Sequence, residues 1–590
     1  MGTISDKLMR IINTKEDIRR ALISKGYDVP TSIPFKEYAK MILDLPCKAD
    51  SFPDIEGIVA RYSASGLTNE QMAANPVWVD KTSNGHDLQL KNLAWGGMSG
   101  VGGYADNWNS SADWAINSYW VNSYTDHKLQ FIKASSVVQA RSNNIYNAEN
   151  VYKNILNVNG LTEAVNKGSV KALRIIATDP ITSKAIKAFS FETDGVIQIS
   201  FDDVLQDYYV DYFLYGSDTK DIDITIEQLP LYPGALVFDG VDDYGVCDNF
   251  PILTKEKGYT VVVLRQWDQD FLNTTLTGGL LSTRNYSTGE GVAFEKIESS
   301  NKGYWNLGAG GIIDFAKSPF TWQTSKQYNN VGILKGDKNH GKPLCVGCGL
   351  SGGQQCGRFA IWELVFLDHD ATEEELTKIK DYFVKTYPWL FPNQAWTVTG
   401  KTNEDEDRAT IANITGNGNN LVLSNFGFAE GSGYNEEGEY AGYLVTDGVD
   451  DKIISSIFKM GNDRTVIGDW ELINTGKNDN AGIVKFDSIV IYNYNYNSML
   501  INIKNGRNIL IPDQNTVNAI CSDGRIYSKD WKESIYNEET ESTSKNFLTI
   551  GYSGNAYTKI AFKNLAIYPT VLSREDCIKA YNYLQTLKAK

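Results

Sequence analysis

Phe238-Asp239-Gly240-Val241-Asp242-Asp243-Tyr244 and Thr446-Asp447-Gly448-Val449-Asp450-Asp451-Lys452 carry the same five letters, DGVDD, in two distant parts of the chain. Asp-Gly is hairpin-turn chemistry: glycine takes positive φ, and an Asx side chain caps its own turn. Each block therefore reads as a tight turn between two strands. Working outward, two further anchors recur in the same order. Upstream, Asn84-Gly85-His86-Asp87-Leu88-Gln89-Leu90-Lys91-Asn92-Leu93 is matched by Asn417-Gly418-Asn419-Asn420-Leu421-Val422-Leu423-Ser424-Asn425-Phe426. Downstream, Leu364 to Phe383 is matched by Leu565 to Leu584, and Thr372 to Glu375 faces Ser573 to Asp576 as a capping-box-like opening of a short amphipathic helix. The chain is an internal duplication.

The spacings locate an insertion. From the Asn-Gly turn to the Asp-Gly turn the first copy takes 155 residues and the second 30, whereas the downstream intervals are 125 and 118. The extra segment falls between Tyr104 and Pro230. It reads as β, with candidate strands at 128–133, 170–177, 185–192, 196–201, 208–215 and 222–228, several of them alternating as in Ile222-Asp223-Ile224-Thr225-Ile226. Strands are also expected at 259–264 and 331–334 in the first copy, and at 547–551 and 560–568 in the second. The expected fold class is mainly β: two repeated β modules, an inserted β-sandwich of jelly-roll type and a short helical N-terminal anchor. The expected domains are 1–50 (helical docking segment), 51–118 with 233–390 (sandwich A), 119–232 (insertion) and 391–590 (sandwich B).

Composition bounds the function. A chain of 590 residues with 42% hydrophobic and 22% charged residues is globular and multidomain. With 56 basic against 72 acidic residues the net charge is −16, which disfavours nucleic acid and anionic membrane surfaces as partners. No apolar run approaches the ~20 residues of a membrane span, and no signal-peptide pattern is visible at the N-terminus. Seven cysteines spread over this length do not describe a disulfide framework, so folding in a reducing compartment is expected. Within residues 1–46, Ile4, Leu8, Ile11 and Ile12 fall on one helical face, and Phe35, Tyr38 and Ile42 on another. Such short helices must bury their stripes on something else, either the neighbouring domain or a docking partner.

The Phe-Asp-Gly-x-Asp-Asp-Tyr block, followed by a strand and a Ser/Thr-x-x-Glu helix, resembles the laminin-G-like, concanavalin A-type lectin/glucanase module. Leu565-Ala566-Ile567-Tyr568-Pro569 through Asp576 is similar to that module's closing signature. The resemblance implies that the two repeated modules are tandem concanavalin A-like (jelly-roll) sandwiches, two-sheet and antiparallel, used in carbohydrate or protein recognition, or as spacers. Ser5-Asp6-Lys7-Leu8, Asn13 to Gly26 and Pro34-Phe35-Lys36-Glu37-Tyr38-Ala39 resemble the amino-terminal segment of virion appendage proteins of tailed bacteriophages, crAss-like phages among them. That resemblance implies a head or tail fibre subunit, folded in the host cytoplasm and placed on the virion surface. It would join other virion proteins through residues 1–46, contact host glycans, and assemble as a homo-oligomer, by expectation a trimer. The alternative is a polysaccharide-degrading enzyme (depolymerase) of the particle.

The Glu-x-Asp-x-x-Glu carboxylate pattern of concanavalin-like glucanases is missing, and Glu363 and Glu471 lack the partners it needs, so no catalytic residue is assigned. Asp239, Asp242, Asp243, Asp447, Asp450 and Asp451 offer clustered oxygens that suit calcium, although turn capping explains them better. Cys345, Cys348 and Cys356, with His340, offer a zinc-like set, but the second copy has no equivalent cysteines. Trp95, Trp108, Trp114 and Trp120, interleaved with Asn, Ser and Asp, and Tyr492, Tyr494 and Tyr496, alternating with Asn, are the candidate glycan contacts, with core or subunit interface as the competing reading.

Overall fold

A computed structural model of the chain describes residues 52–82, 84–134, 139–147, 152–201, 204–216, 221–254, 256–268, 271, 275–283, 293–296, 302–305, 312–314, 333–334, 343–350 and 354–416. It further describes 418–429, 431–436, 440–456, 463–473, 482–486, 489–495, 498–503, 507–511, 517–522, 524–528, 531, 533–535, 548–550, 552–553, 556–587 and 589. The N-terminal helices expected over residues 1–46 lie outside this set.

The fold is mainly β, and the duplication is written in its topology. In the first copy one sheet runs, edge to edge, through strands 77–78, 88–91, 244–247, 344–346, 278–282, 293–296, 302–305 and 312–314. The second copy repeats that order with 410–411, 421–424, 452–455, 549–550, 482–486, 489–495, 498–503 and 507–511. The opposing sheets also correspond. Tyr259–Trp267, Arg358–Leu367, Leu236–Asp239 and Gly100–Val101 are neighbours in one, and Thr465–Leu472, Ile560–Tyr568, Tyr443–Val445 and Gly433–Asn435 in the other. The outermost matched anchor strands behave as half-buried strands should: Leu88 and Leu90 are buried while Gln89 and Lys91 are exposed. The central strands are buried on both faces and so read as apolar runs; every residue of Tyr259–Trp267 is buried.

The correspondence extends to irregularities. Each central pair carries a bulge at the same place, between Leu264 and Arg265 in the first copy and between Asp469 and Trp470 in the second. Inward-facing residues of both sheets meet in a common interior, for example Leu421, Leu423 and Ile453 against Val466, Phe562 and Leu565. A closing helix follows the last strand in each copy. Glu373–Thr386 opens on a full capping box of Thr372 and Glu375, and Arg574–Gln585 opens on Ser573, whose hydroxyl accepts from the Asp576 amide. No helix of the described residues is long and apolar enough to cross a membrane.

The insertion occupies one hairpin. In the second copy Gly433–Asn435 and Tyr443–Val445 pair directly across a short connection. In the first copy the equivalent strands, Gly100–Val101 and Leu236–Asp239, pair the same way but open into the inserted segment. Its two ends stay side by side, with the Leu231 and Tyr232 amides donating to the Gly103 and Gly102 carbonyls, both at 2.8 Å. Between them lie two five-stranded antiparallel sheets around one core. The six strands read from sequence are present, the longest as Val170–Thr178. Four more, Trp114–Ile116, Val121–Tyr124, Ala140–Ser142 and Lys153–Asn159, escaped sequence reading. Three are very short, and the fourth, KNILNVN, is rich in asparagine, which strands disfavour. The insertion's core also starts before residue 119, because Trp108 and Trp114 belong to it.

The two copies are not strung apart. Trp362 of the first meets Tyr583 of the second copy's closing helix edge to face, ring centroids 6.3 Å apart. Gln266 Nε2 donates to Thr586 Oγ1 at 3.1 Å, and Tyr568 OH donates to the Trp389 carbonyl at 2.9 Å. A single buried cluster runs through both.

Candidate functional site

The DGVDD blocks form twin turn locks. The Val241 amide donates to Asp239 Oδ1 at 2.7 Å and the Asp239 amide to Asp243 Oδ2 at 3.0 Å. In the second copy Val449 donates to Asp447 Oδ1 at 2.7 Å and Asp447 to Asp451 Oδ2 at 2.8 Å. Gly240 and Gly448 hold φ of +79° and +75°, and a Cβ on Gly240 would sit 2.8 Å from Arg358 Cβ, so glycine is required by both conformation and space. A neighbouring loop closes over each turn. Asn92 Nδ2 reaches the Asp242 carbonyl and Asn425 Nδ2 the Asp450 carbonyl, each at 3.0 Å. Asp243 and Asp451 are fully buried, and burial raises their carboxyls to about 7 and about 6, against Ser99 and Ser432, which favour the ionised forms.

These blocks also bear on calcium. One oxygen from each of Asp239, Asp242 and Asp243, and likewise from Asp447, Asp450 and Asp451, lies within 4.8 Å of the others. Asp239 Oδ1 and Asp243 Oδ2 are, however, already occupied by backbone N–H groups, which is what a turn needs rather than what a cation needs. We expect millimolar calcium to leave the melting temperature unchanged, while Asp243→Ala lowers it with or without the ion. A calcium-dependent rise that disappears in Asp242→Ala would reverse this reading.

The tryptophans expected at a glycan surface divide. Trp108 and Trp114 are 1% and 3% exposed and meet each other and Tyr212 edge to face inside the insertion. They are core, which corrects their assignment as ligand contacts. A polar neighbour serves a local turn: Asn107 Oδ1 accepts from the Asn109 amide at 3.2 Å, and the Trp114 amide donates to the Ser110 carbonyl at 2.9 Å. Trp95 is half-buried against the first copy's core at a positive φ of 55°, equivalent to Phe428 at 49° in the second. Trp120 is half-buried, edge to face with the exposed Tyr119, whose ring carries the Lys133 ammonium at 4.5 Å. Tyr492 and Tyr494 lie on the strand Ile489–Asn495, where a register shift between Asn493 and Asn495 interrupts the tyrosine–asparagine alternation; Tyr496 lies outside the described residues.

Cys345, Cys348 and Cys356 are buried and packed together, with Cys348 opposite Cys356 across a strand pair; His340 lies outside the described residues. The three sulfurs do not converge as the Asp oxygens do, and among the described residues only the Asp groups reach cation-holding spacing. Glu363 is fully buried and receives Arg61 Nε at 3.2 Å and the Tyr387 hydroxyl at 2.8 Å. Its task is to tie the strand Ile58–Ser63 to the closing segment. Asp106 is sealed inside the insertion: Tyr152 OH donates to its Oδ2 at 2.5 Å and Asn154 Nδ2 at 3.0 Å, and burial pushes its carboxyl up to about 7. A raised carboxyl of this kind in a cleft would be a candidate general acid, but Asp106 has no face to solvent.

Sequence reading missed one surface. Along Tyr209–Gly216, Val210, Tyr212 and Leu214 enter the insertion's core, so Tyr209, Asp211, Phe213 and Tyr215 lie on the outer face. On that face Arg141 sits 5.6 Å over Tyr209, Arg174 5.6 Å over Phe213 and Lys171 5.0 Å over Tyr215. Asp211 clamps Arg141 through Nε and Nη2 at 2.6 and 2.8 Å and accepts the Thr178 hydroxyl at 2.7 Å. Lys171 and Arg174 are three residues apart, a spacing that puts them on opposite faces of a regular strand; the register shift between Val170 and Ala172, and the neighbouring strand that carries Tyr215 and Phe213, bring them onto one face.

No family model matches the chain, and no curated protein matches it. Among solved structures it overlaps the botulinum neurotoxin serotype D binding domain at 12% identity, covering 59% of this chain and 89% of that one, with a TM-score of 0.23. It also overlaps Trypanosoma rangeli sialidase in complex with sialic acid at 8% identity, covering 78% and 82%, with a TM-score of 0.25. At TM-scores this low the overlap carries no argument about fold or activity.

Proposed function

We propose that this chain is a non-catalytic appendage subunit of a bacteriophage particle, attached through residues 1–46 and working by surface contact with host glycans or neighbouring proteins. The observation that supports this reading best is the duplication. Two copies share strand order, bulge and turn locks, and carboxylates that sequence marks for chemistry serve the fold instead. Asp239, Asp243, Asp447 and Asp451 hold turns, and Glu363 holds a strand to the closing segment. Catalysis by a glycosidase needs two carboxyls facing one substrate-sized gap; among the described residues the raised carboxyls, Asp106, Asp243, Glu363 and Asp451, are enclosed. The copies offer stable β-surfaces, and the N-terminal segment supplies the phage resemblance and with it the expected trimer on the virion surface.

Deleting residues 1–46 tests the reading. The truncated chain is expected to keep the far-ultraviolet spectrum and melting of its β portion while no longer co-purifying with particles, whereas the full chain does. Incorporation of the truncated chain would remove the proposed attachment. Release of reducing ends from host capsule by the full chain would replace contact with hydrolysis.

A further inference from the structure

We infer that the outer face of the insertion's sheet, around Lys171, Arg174, Phe213 and Tyr215, binds a carboxylate-bearing oligosaccharide. The inference deepens the contact reading above and rests on it for the class of partner. Three features carry it. First, the face is basic on a chain of net charge −16. Arg141 is neutralised by Asp211, but Lys171 and Arg174 make no ion pair among the described residues, and their partners are the aromatic rings beneath them. Second, the floor is apolar although it faces away from the core: Ile176 and Phe213 are 6% and 8% exposed yet lie outside the interior cluster, and the Arg174 guanidinium lies over the Phe213 ring. Third, strand periodicity sets Phe213 and Tyr215 in a row, so the cations above them follow the strand direction and can meet successive acidic units of an extended chain.

Charge complementarity favours an acidic glycan over a neutral one. Rings that stack on sugar C–H faces, set beside cations that meet carboxylates, commit the face to a glycan rather than to a second copy of this chain. Tyr209, at one end of the row, adds a phenol hydroxyl for sugar hydroxyl contacts.

The test is calorimetric titration of the full chain with an oligogalacturonate, with a neutral maltooligosaccharide of equal length as control. Binding of the acidic chain alone, weakening as salt rises, is expected. Arg174→Gln and Lys171→Gln should each weaken it by about three- to tenfold. Arg174→Lys should retain most of it, and Lys128→Gln on the opposite sheet should leave it unchanged. Equal binding of the neutral sugar, or indifference to the Lys171→Gln/Arg174→Gln pair, would overturn the inference. So would salt-sensitive self-association lost in that pair, which would assign the face to another copy. These outcomes are separable from failure of the attachment reading, since particle incorporation is followed through residues 1–46 and glycan binding through Lys171 and Arg174.

Discussion

Glu363→Ala is expected to destabilise the first copy by about 3–5 kcal/mol, the range seen when one partner of a buried ion pair is removed. Arg61 and Glu363 are 3% and 0% exposed. Both Nε and Nη2 of Arg61 donate to the carboxylate, Nη2 also donates to Tyr382 OH at 2.8 Å, and the guanidinium lies 4.2 Å from the Phe52 ring centroid. Alanine takes away the countercharge while the guanidinium stays enclosed. The duplication supplies an internal comparison. Ser63 pairs with Glu363 and Thr397 with Asn564, which places Ala395 and Asn564 where the first copy has Arg61 and Glu363. The fold thus exists without this ion pair, and the double variant Arg61→Met/Glu363→Leu should recover most of the loss. Hydrogen exchange in the strand Arg358–Leu367 reports on this copy directly. A loss under about 1 kcal/mol in the single variant, the level of an exposed pair, would show that the pair is not enclosed.

The second large effect is a dependence on pH. Burial raises the Asp106 carboxyl to about 7, whereas in the unfolded chain it titrates near 4. Below about pH 4 both states hold the proton and the group contributes nothing. As pH rises toward 7 the unfolded chain has released its proton and the folded chain retains it, so folding stability falls, and above 7 the full penalty applies. Three pH units correspond to about 4 kcal/mol at most. Asp243 and Asp451, raised to about 7 and about 6, act with the same sign. The insertion should therefore exchange amide hydrogen more slowly at pH 5 than at pH 8 after correction for intrinsic rates. Asp106→Asn, which still offers an acceptor to Tyr152 OH, should flatten that difference in strand Tyr209–Gly216. An unaltered slope would assign the pH dependence elsewhere.

What could be read from sequence divides along local and non-local physics. The repeat was legible because Asp-Gly turns, capping boxes and period-two strands are written in consecutive residues. Leu88 and Leu90 announce their buried face without knowledge of their neighbours. Trp108 and Trp114 do not: their polar flanks belong to a turn at Ser110, and only the arrival of Tyr212 from a distant strand makes the rings interior. The same strand explains the other miss. Tyr209, Phe213 and Tyr215 alternate with Val210, Tyr212 and Leu214, so both faces of the segment are aromatic or apolar, and alternation alone cannot say which one meets solvent. Tyr62 and Trp396 show how far correspondence survives a change of residue. Tyr62 donates its hydroxyl to the His86 carbonyl and Trp396 its indole N–H to that of Asn419, so two different rings pin the same loop.

The contact of Trp362 with Tyr583 has an evolutionary reading. A duplicated unit whose last helix has become a wall of its sister can no longer be traded away, shortened at the junction, or recombined into another gene without breaching the sister as well. From that moment the pair descends as a single heritable object. Variation should then accumulate where neither half leans on the other, with the inserted sandwich, hung from one hairpin, the place where such a lineage remains free to experiment.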